Sequence, residues 1–366
     1  MKKLFTLLAL TITFSMNAQV STVATDASGT ASTAMGYSTT ASGLYSTAMG
    51  GSTTASGDYS TAMGSGTTAS GFYSTAMGVS TTAIGTASTA MGGAGTIASG
   101  LFSTAMGSGT VAGGSASTAI GQSTIASEYV STAIGFYTTA SGSYSIAMGA
   151  FSTASGDGST AMGGTTTAIG TNSTAMGRST TASDYASLVI GQYNSSGSSV
   201  TNNATSFSTS NTAFVIGNGT SGSLSDAFKV MFNGDATVSN DLTVSGDVVI
   251  LSDARLKSNI VSLGSTLAKL LQIDGKSYEM KGKQKIGVLA HEIKEVFPEL
   301  VSEDDNKMLA VNYQGLVPVL INALKEQDAK LNEQQSEIDE LKEQETKYME
   351  QEQRLERLER LFANMD

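Results

Sequence analysis

The chain offers few side chains that could carry out chemistry, and they are unevenly placed. It has no cysteine and one histidine, His291, so thiolate catalysis, disulfides and cysteine-bound metals are excluded. Residues 21–200 contain one basic residue, Arg178, and no clustered carboxylates for acid–base work. Ser252 and Lys257 stand five residues apart, where a nearly uncharged chain becomes a charged one. They supply a hydroxyl and an amine, but this spacing alone is common and indicates little.

The whole composition narrows the class of protein. The chain has 366 residues and a formal charge of -11, most of it in the C-terminal third, which gives no support to nucleic-acid binding. Residues 1–18 read as an export signal, with Lys2 and Lys3, an apolar run over 4–14 and a cleavage point after Ala18. We therefore expect a secreted or cell-surface protein without a membrane-spanning segment in the mature chain.

Residues 21–200 carry a repeat of fourteen residues. An Ala-Met-Gly, Ala-Ile-Gly or Val-Ile-Gly triplet recurs, and a second glycine falls midway between triplets except at Glu128 and Asp184. Glycine on every seventh residue would cost a helix about 1 kcal/mol each, so helix is rejected. Two short strands and two glycine turns per repeat predict a parallel β-solenoid. The triplet glycines are residues 36, 50, 64, 78, 92, 107, 121, 135, 149, 163, 177 and 191.

The large apolar residue of each triplet predicts one internal stripe. Isoleucine replaces methionine freely and neither histidine nor cysteine accompanies it, so core packing is favoured over binding of a soft metal, and no metal or cofactor is expected. One such residue per coil makes a thin core, which neighbouring chains would complete. The stripe comprises Met35, Met49, Met63, Met77, Met91, Met106, Ile120, Ile134, Met148, Met162, Met176 and Ile190.

Units such as Ser46-Thr47-Ala48-Met49-Gly50 followed by Ser52-Thr53-Thr54-Ala55-Ser56-Gly57 resemble the head repeat of trimeric autotransporter adhesins of the YadA type. The resemblance implies a homotrimeric, left-handed parallel β-roll and a surface ligand that it does not identify. An ice-binding solenoid is an alternative. Adjacent threonines such as Thr53 and Thr54 should point to opposite faces, however, which disfavours flat threonine ranks.

The remainder divides into a β-rich neck over 201–251, with strands around Asn233-Gly234 and a further strand within 242–250, and a domain over 252–315. Its opening, Ser252-Asp253-Ala254-Arg255-Leu256-Lys257, resembles the self-cleaving intramolecular chaperone domains of endosialidase tailspikes and other phage fibres. Segments 286–293, 296–301 and 311–316 agree in order and spacing. Residues 316–366 form a helix whose heptad pattern predicts a coiled coil, and the family implies three strands.

The second resemblance implies a Ser-Lys dyad in which Ser252 is the nucleophile and Lys257 its general base, cutting Leu251–Ser252. Lys257 accepts a proton only when neutral, which burial or nearby positive charge favours. An unfolded chain supplies neither, so a single-turnover cleavage should wait for folding. The alternative is that Ser252 caps a turn and Lys257 is a solvated charge, and His291 is interpreted as structural.

The repeat region and the C-terminal domain are expected to act together in assembly. Near-identical coils could align one coil out of step, and a C-terminal domain that trimerises first would set the register. We therefore expect a mainly β, exported, homotrimeric, adhesin-like fibre with a self-releasing chaperone domain. An uncleaved, phage-derived structural fibre is the alternative, and an enzyme acting on an external substrate is disfavoured by the head's lack of acid–base groups.

Overall fold

A computed structural model describes residues 23–195, 204–304 and 307–364. The proposed export signal, residues 1–18, lies outside the described residues. Contacts divide the chain into two compact units, one ending at Ser245 and one starting at Gly246. Each unit is described by itself below.

The first unit is a β-solenoid of about 11 turns, as the repeat predicts. Each turn gives one strand to a long parallel sheet, and successive strands pair without slippage, Thr33 with Thr47 and Met35 with Met49. The solenoid strands of this first sheet are Thr33–Tyr37, Thr47–Gly51, Thr61–Ser65, Thr75–Val79, Thr89–Gly92, Thr104–Ser108, Thr118–Gln122, Thr132–Phe136, Ile146–Ala150, Thr160–Gly164, Thr174–Arg178 and Leu188–Gln192.

A second parallel sheet, of 11 strands with two residues each, lies across the coil from the first. Its strands are Thr40–Ala41, Thr54–Ala55, Thr68–Ala69, Thr82–Ala83, Ile97–Ala98, Val111–Ala112, Ile125–Ala126, Thr139–Ala140, Thr153–Ala154, Thr167–Ala168 and Thr181–Ala182. Adjacent threonines point to opposite sides as predicted: Thr53 is fully buried, whereas Thr54 faces outward and is partly exposed.

The prediction of an internal methionine stripe is wrong. The core of the solenoid consists of alanines such as Ala48 and Ala55, both fully buried, lined by buried hydroxyl residues such as Ser46. Side chains alternate along a strand, so with Ala48 inside, Thr47 and Met49 must face outward on the first sheet, where both are partly exposed. The interior admits only small side chains, and the large apolar ones form an outer stripe.

The triplet glycines are required by close backbone approach. At Gly121, φ is +128°, and a Cβ built there would lie 2.0 Å from the carbonyl oxygen of Gly135 on the next turn. By contrast, Gly164 has open space around its Cβ position, with no atom within 4 Å. The glycine ladder is therefore a condition for stacking one turn on the next.

The solenoid ends in a different way in each sheet. The first sheet continues, because Leu188–Gln192 pairs in parallel with Thr212–Asn218. The second sheet stops at Thr181, whose N–H donates to Oδ1 of Asn194 (2.7 Å) and whose carbonyl accepts from Nδ2 (3.0 Å). The buried side-chain amide of Asn194 therefore satisfies both backbone groups that a further strand would pair with.

The neck is partly as predicted. Asp226–Met231 pairs antiparallel with Thr212–Asn218 and with Ala236–Val238, around the predicted turn. The further strand expected within 242–250 is absent, and these residues are exposed and without regular structure. Their apolar side chains are exposed, that of Val249 by 86%.

The second unit packs short elements against the start of a long helix. Its helices are α1 (Leu267–Leu270), α2 (Ala290–Val296) and α3 (Leu316–Ala363). Two antiparallel hairpins are Lys276–Met280 with Lys283–Gly287 and Val301–Glu303 with Leu309–Val311. Short 3-10 helices cover Ala254–Leu256, Pro298–Leu300 and Tyr313–Gly315. The small core is formed by Ile293, Phe297 and Val319.

The carboxylate of Glu326 on α3 secures the start of α1. It accepts hydrogen bonds from the backbone N–H groups of Thr266 and Leu267 and from the hydroxyl of Ser265. These hydrogen bonds, led by that of Thr266, hold the pKa of Glu326 below its usual value. Beyond this contact region α3 is exposed along its length, and among the described residues no helix is both long and apolar enough to cross a bilayer.

Candidate functional site

The structure places the predicted serine and lysine side by side. Lys257 Nζ donates a hydrogen bond to Ser252 Oγ at 2.7 Å. At this distance a proton can pass from a hydroxyl to a neutral amine, which is the step that makes a serine nucleophilic. The peptide bond that is predicted to be cut joins Leu251 to Ser252, and the side chain of Leu251 is exposed. The described hydrogen bonds of this pair do not involve His291.

A single tight turn makes this approach possible. Ala254–Leu256 forms a 3-10 helix, in which the N–H of Leu256 donates to the carbonyl of Asp253 and the N–H of Lys257 to that of Ala254, both at 3.1 Å. The backbone becomes extended again at Lys257. Because the 3-10 turn shortens the path between residues 252 and 257, two side chains five positions apart can meet.

Asp253 and Arg255 were not singled out by sequence reasoning, although they lie inside the motif. Asp253 caps the turn, accepting from the backbone N–H of Arg255 at 2.9 Å. The guanidinium of Arg255 grips the same carboxylate through Nε, at 3.1 Å from both oxygens, and through Nη2 at 2.6 Å. The Arg255 side chain holds the pKa of Asp253 below its usual value, and the paired carboxylate raises the pKa of Arg255.

Exposed apolar side chains flank the serine and lysine on both sides. Leu251 is 83% exposed, Leu256 69% and Val261 83%, and residues 251–260 are all exposed in the single chain. Apolar side chains left this exposed in one chain could be covered by another molecule in an assembly. Anything that covered them would also remove water from around Ser252 and Lys257.

His291 lies on α2, at the edge of an open cavity of about 370 Å³ that Tyr278, Leu309 and Tyr313 also line. The hydroxyl of Tyr313 accepts a hydrogen bond from the N–H of Val288 at 3.1 Å. The side chain of His291 is exposed. Its position is consistent with a structural or surface residue.

Aromatic side chains form two exposed clusters at the corners of the solenoid, which sequence reasoning also missed. The first, which we call the N-terminal aromatic cluster, is a ladder of stacked rings, with centroids 5.2 Å apart for Tyr45–Tyr59 and 4.9 Å for Tyr59–Tyr73. Phe72 packs edge-on against it. The second, the middle aromatic cluster, comprises Phe136, Tyr137 and Phe151.

The tyrosines of the N-terminal aromatic cluster adopt an unfavourable backbone conformation. Tyr45, Tyr59 and Tyr73 have φ of 54°, 56° and 57°, a left-handed region that bulky residues seldom occupy. Ala87 and Ala116 occupy the same corner in other turns, so the fold does not require a ring there. The recurrence of aromatic residues at this position of the fourteen-residue repeat was the sequence signal that could have revealed the cluster.

Two family profiles match separate parts of the chain. Residues 252–302 match the chaperone of endosialidase, and the match starts at Ser252. Nine segments, most of which overlap their neighbours, match the YadA head domain repeat (2 copies): 27–53, 41–67, 69–94, 93–110, 98–124, 112–138, 126–152, 140–166 and 168–194.

The chain is also similar to phage fibre proteins. It is 33% identical over 100 residues to the long tail fiber protein Gp37 of Enterobacteria phage K3, and equally to that of Enterobacteria phage T2. Each match covers 24% of this chain and 8% of the phage protein. The similarity therefore concerns a small part of those fibres.

Proposed function

The chain joins YadA-type head repeats to a chaperone-of-endosialidase domain, and from this architecture we propose that three copies form an exported fibre. The C-terminal domain aligns the three chains and then releases itself by cutting the Leu251–Ser252 bond. The observation that carries the cleavage is the 2.7 Å hydrogen bond from Lys257 Nζ to Ser252 Oγ at the first residue of the matched domain.

Association of identical chains would bury surfaces that one chain leaves open. On the solenoid, the outer stripe of Met and Ile side chains is partly exposed on every described turn. On α3, Leu324 is 71% exposed, Leu331 55% and Leu341 62%. Burial of apolar surface contributes about 25 cal/mol per Å², so repetition over about 11 turns and several heptads favours assembly. The matched families are those of trimeric fibres, so three is the expected number of chains.

Burial of Ser252 and Lys257 on assembly would trigger the cleavage. Once a neighbouring chain covers the exposed apolar side chains around residues 251–261, loss of water favours neutral Lys257. Lys257 Nζ then takes the proton from Ser252 Oγ, which attacks the carbonyl carbon of Leu251. The Leu251–Ser252 C–N bond breaks, the nitrogen of Ser252 takes a proton to become an amine, and water hydrolyses the resulting ester. Cleavage therefore reports completed assembly.

The register of the coils explains the need for a chaperone. Successive turns repeat Thr-Ala-Met-Gly almost unchanged, so three solenoids displaced by one turn would lose contacts only at their ends. Pairing of this kind is also slow. Chains joined first at the C-terminal domain would start in register, and removal of that domain afterwards would leave a fibre trapped by its unfolding barrier.

Adhesion is the proposed role of the finished fibre, and the aromatic clusters support it. The rings of the N-terminal aromatic cluster are exposed by 42–55%, and its three tyrosines have left-handed φ angles, so they provide contact area that the fold does not need. The chain around them is nearly uncharged, which favours a neutral partner surface. Export and surface location are proposed with it, on the pattern of residues 1–18.

Adhesion is tested by replacing Tyr45, Tyr59 and Tyr73 with alanine, as at Ala87. Retention of the fluorescent fibre on polystyrene beads, a neutral aromatic surface, should fall at least roughly fivefold, because each lost aromatic contact is worth about 1 kcal/mol. The matched control is Phe102→Ala, a single exposed aromatic at the same corner. Equal retention of the triple variant and the control would remove the support for adhesion.

Cleavage is tested by intact-mass analysis, after denaturation, of recombinant protein without residues 1–18, beside Ser252→Ala and Lys257→Ala. Two fragments meeting at Leu251–Ser252 in the unsubstituted protein only would establish self-cleavage. Sedimentation of Ser252→Ala gives the number of chains. An uncut trimer would instead support the second candidate, a permanently capped structural fibre, which the similarity to phage tail fibre proteins favours.

A further inference from the structure

The ion pair between Asp253 and Arg255 lies between the proposed nucleophile and base without contacting either. All its contacts are internal to the turn: the carboxylate accepts from the backbone N–H of Arg255 and from Nε and Nη2 of its side chain. The pair is exposed, with 89% of the Arg255 side chain and 38% of the Asp253 side chain open to solvent. Exposed pairs contribute little to stability, so stability gives no reason for four hydrogen bonds at this position.

We propose that Asp253 and Arg255 are positioning residues for self-cleavage. This inference rests on the proposed function and deepens it. The cap that Asp253 places on the N–H of Arg255 fixes the 3-10 turn Ala254–Leu256, and that turn carries Lys257 back to Ser252. Without Asp253, the described side-chain contact that remains across the turn is the Lys257–Ser252 hydrogen bond itself.

Besides donating its backbone N–H to the cap, Arg255 also occupies the carboxylate of Asp253 with its side chain. An unoccupied Asp253 would lie four residues from Lys257 and would attract its ammonium form, competing with Ser252 for the amine. Arg255 prevents this by contacting both carboxylate oxygens. Within residues 252–257, Asp253 and Arg255 are the charged side chains besides Lys257 itself.

The cap is tested by the rate of cleavage at Leu251–Ser252 in the full mature chain. Asp253→Ala should slow cleavage at least about tenfold, whereas Asp253→Asn should stay within about threefold, because its amide oxygen can still accept from the backbone N–H of Arg255. The matched control is Asp274→Ala, which removes another exposed carboxylate paired with a cation two residues on, Lys276. Wild-type cleavage by Asp253→Ala, or equal slowing by Asp253→Asn, would overturn the proposal.

The occupation of the Asp253 carboxylate by Arg255 is tested by the pH profile of cleavage. Arg255→Gln should require a higher pH for the same rate, and the double variant Asp253→Asn/Arg255→Gln should return the profile toward that of wild type. A purely structural role would lower the rate of Arg255→Gln without moving its profile. An unmoved profile therefore contradicts the competition between Asp253 and Ser252.

A further measurement separates failure of this inference from failure of the proposed cleavage. In a Ser252→Ala background, which cannot cleave, millisecond amide hydrogen exchange at Leu256 and Lys257 reports the turn directly, since both N–H groups are bonded within it. Adding Asp253→Ala should accelerate their exchange, and adding Asp274→Ala should not. If Asp253→Ala leaves exchange unchanged, the positioning role is wrong even if wild-type protein cleaves.

Discussion

Replacement of one triplet glycine by alanine should unfold the stacking of the solenoid locally. At Gly121 the new methyl group would lie 2.0 Å from the carbonyl oxygen of Gly135, against an ordinary contact of about 3.4 Å, and φ is +128°. The two turns must separate by about 1.4 Å, or the backbone must change its conformation. Separation breaks two or three ladder hydrogen bonds of about 1 kcal/mol each, and the unfavourable φ adds about 1–2 kcal/mol.

We therefore expect Gly121→Ala to lose about 3–5 kcal/mol, a size typical of backbone strain combined with broken hydrogen bonds. The assay is chemical denaturation of the full chain followed by far-ultraviolet circular dichroism, with hydrogen exchange at Gly121 and Gly135 to locate the change. Gly164→Ala is the control, because no atom lies within 4 Å of its Cβ position. If the two variants unfold within about 1 kcal/mol of each other, the close-approach argument is refuted.

Two further substitutions test the contact of Glu326 with the start of α1 and the cap that Asn194 forms on the second sheet. Glu326→Gln should remove stability that wild type has at neutral pH: the pKa of Glu326 is lower in the folded state, so its contribution is present above the usual glutamate pKa and is lost as pH falls through the lower folded value. The denaturation midpoints of wild type and Glu326→Gln should differ at neutral pH and converge in acid. Glu337→Gln on the same helix is the control, and its midpoint should not show this pH-dependent difference from wild type. A difference between wild type and Glu326→Gln that stays constant with pH would contradict the assignment. Asn194→Ala should leave the backbone groups of Thr181 unpaired, costing about 1–3 kcal/mol and accelerating hydrogen exchange at the N–H of Thr181. Unchanged exchange there would show that Asn194 is not the cap.

Much of the fold was predictable because glycine spacing is a strong local constraint. A period of fourteen residues with glycine at both turns is incompatible with helix and compatible with two strands per coil, which is what the structure has. Likewise the helix expected from Leu316 and the strands around Asn233-Gly234 are present, since their signals are local. The strand expected within 242–250 is absent, because a strand requires a partner edge that local sequence does not specify.

The candidate site divides in the same way. The resemblance of the motif pointed to Ser252 and Lys257, but the three-dimensional structure is needed to show that a 3-10 turn brings them to 2.7 Å and that Asp253 caps this turn at the N–H of Arg255. The aromatic clusters were missed for a related reason. Each ring is an ordinary surface residue in the linear sequence, and stacking of turns 14 residues apart makes a ladder of them.

By itself, then, the sequence determined the period, the turn glycines and the parallel pairing of like residues, because glycine is the residue that tolerates backbone at such close approach. The tertiary structure alone decided which side of the strand is the inside. A coil closed by two turns in fourteen residues has room for Ala48 and Ser46 but not for Met49, and strand alternation then places methionine outside. Apolar character predicted burial of the stripe, whereas the narrow coil leaves it half-buried on an outer face.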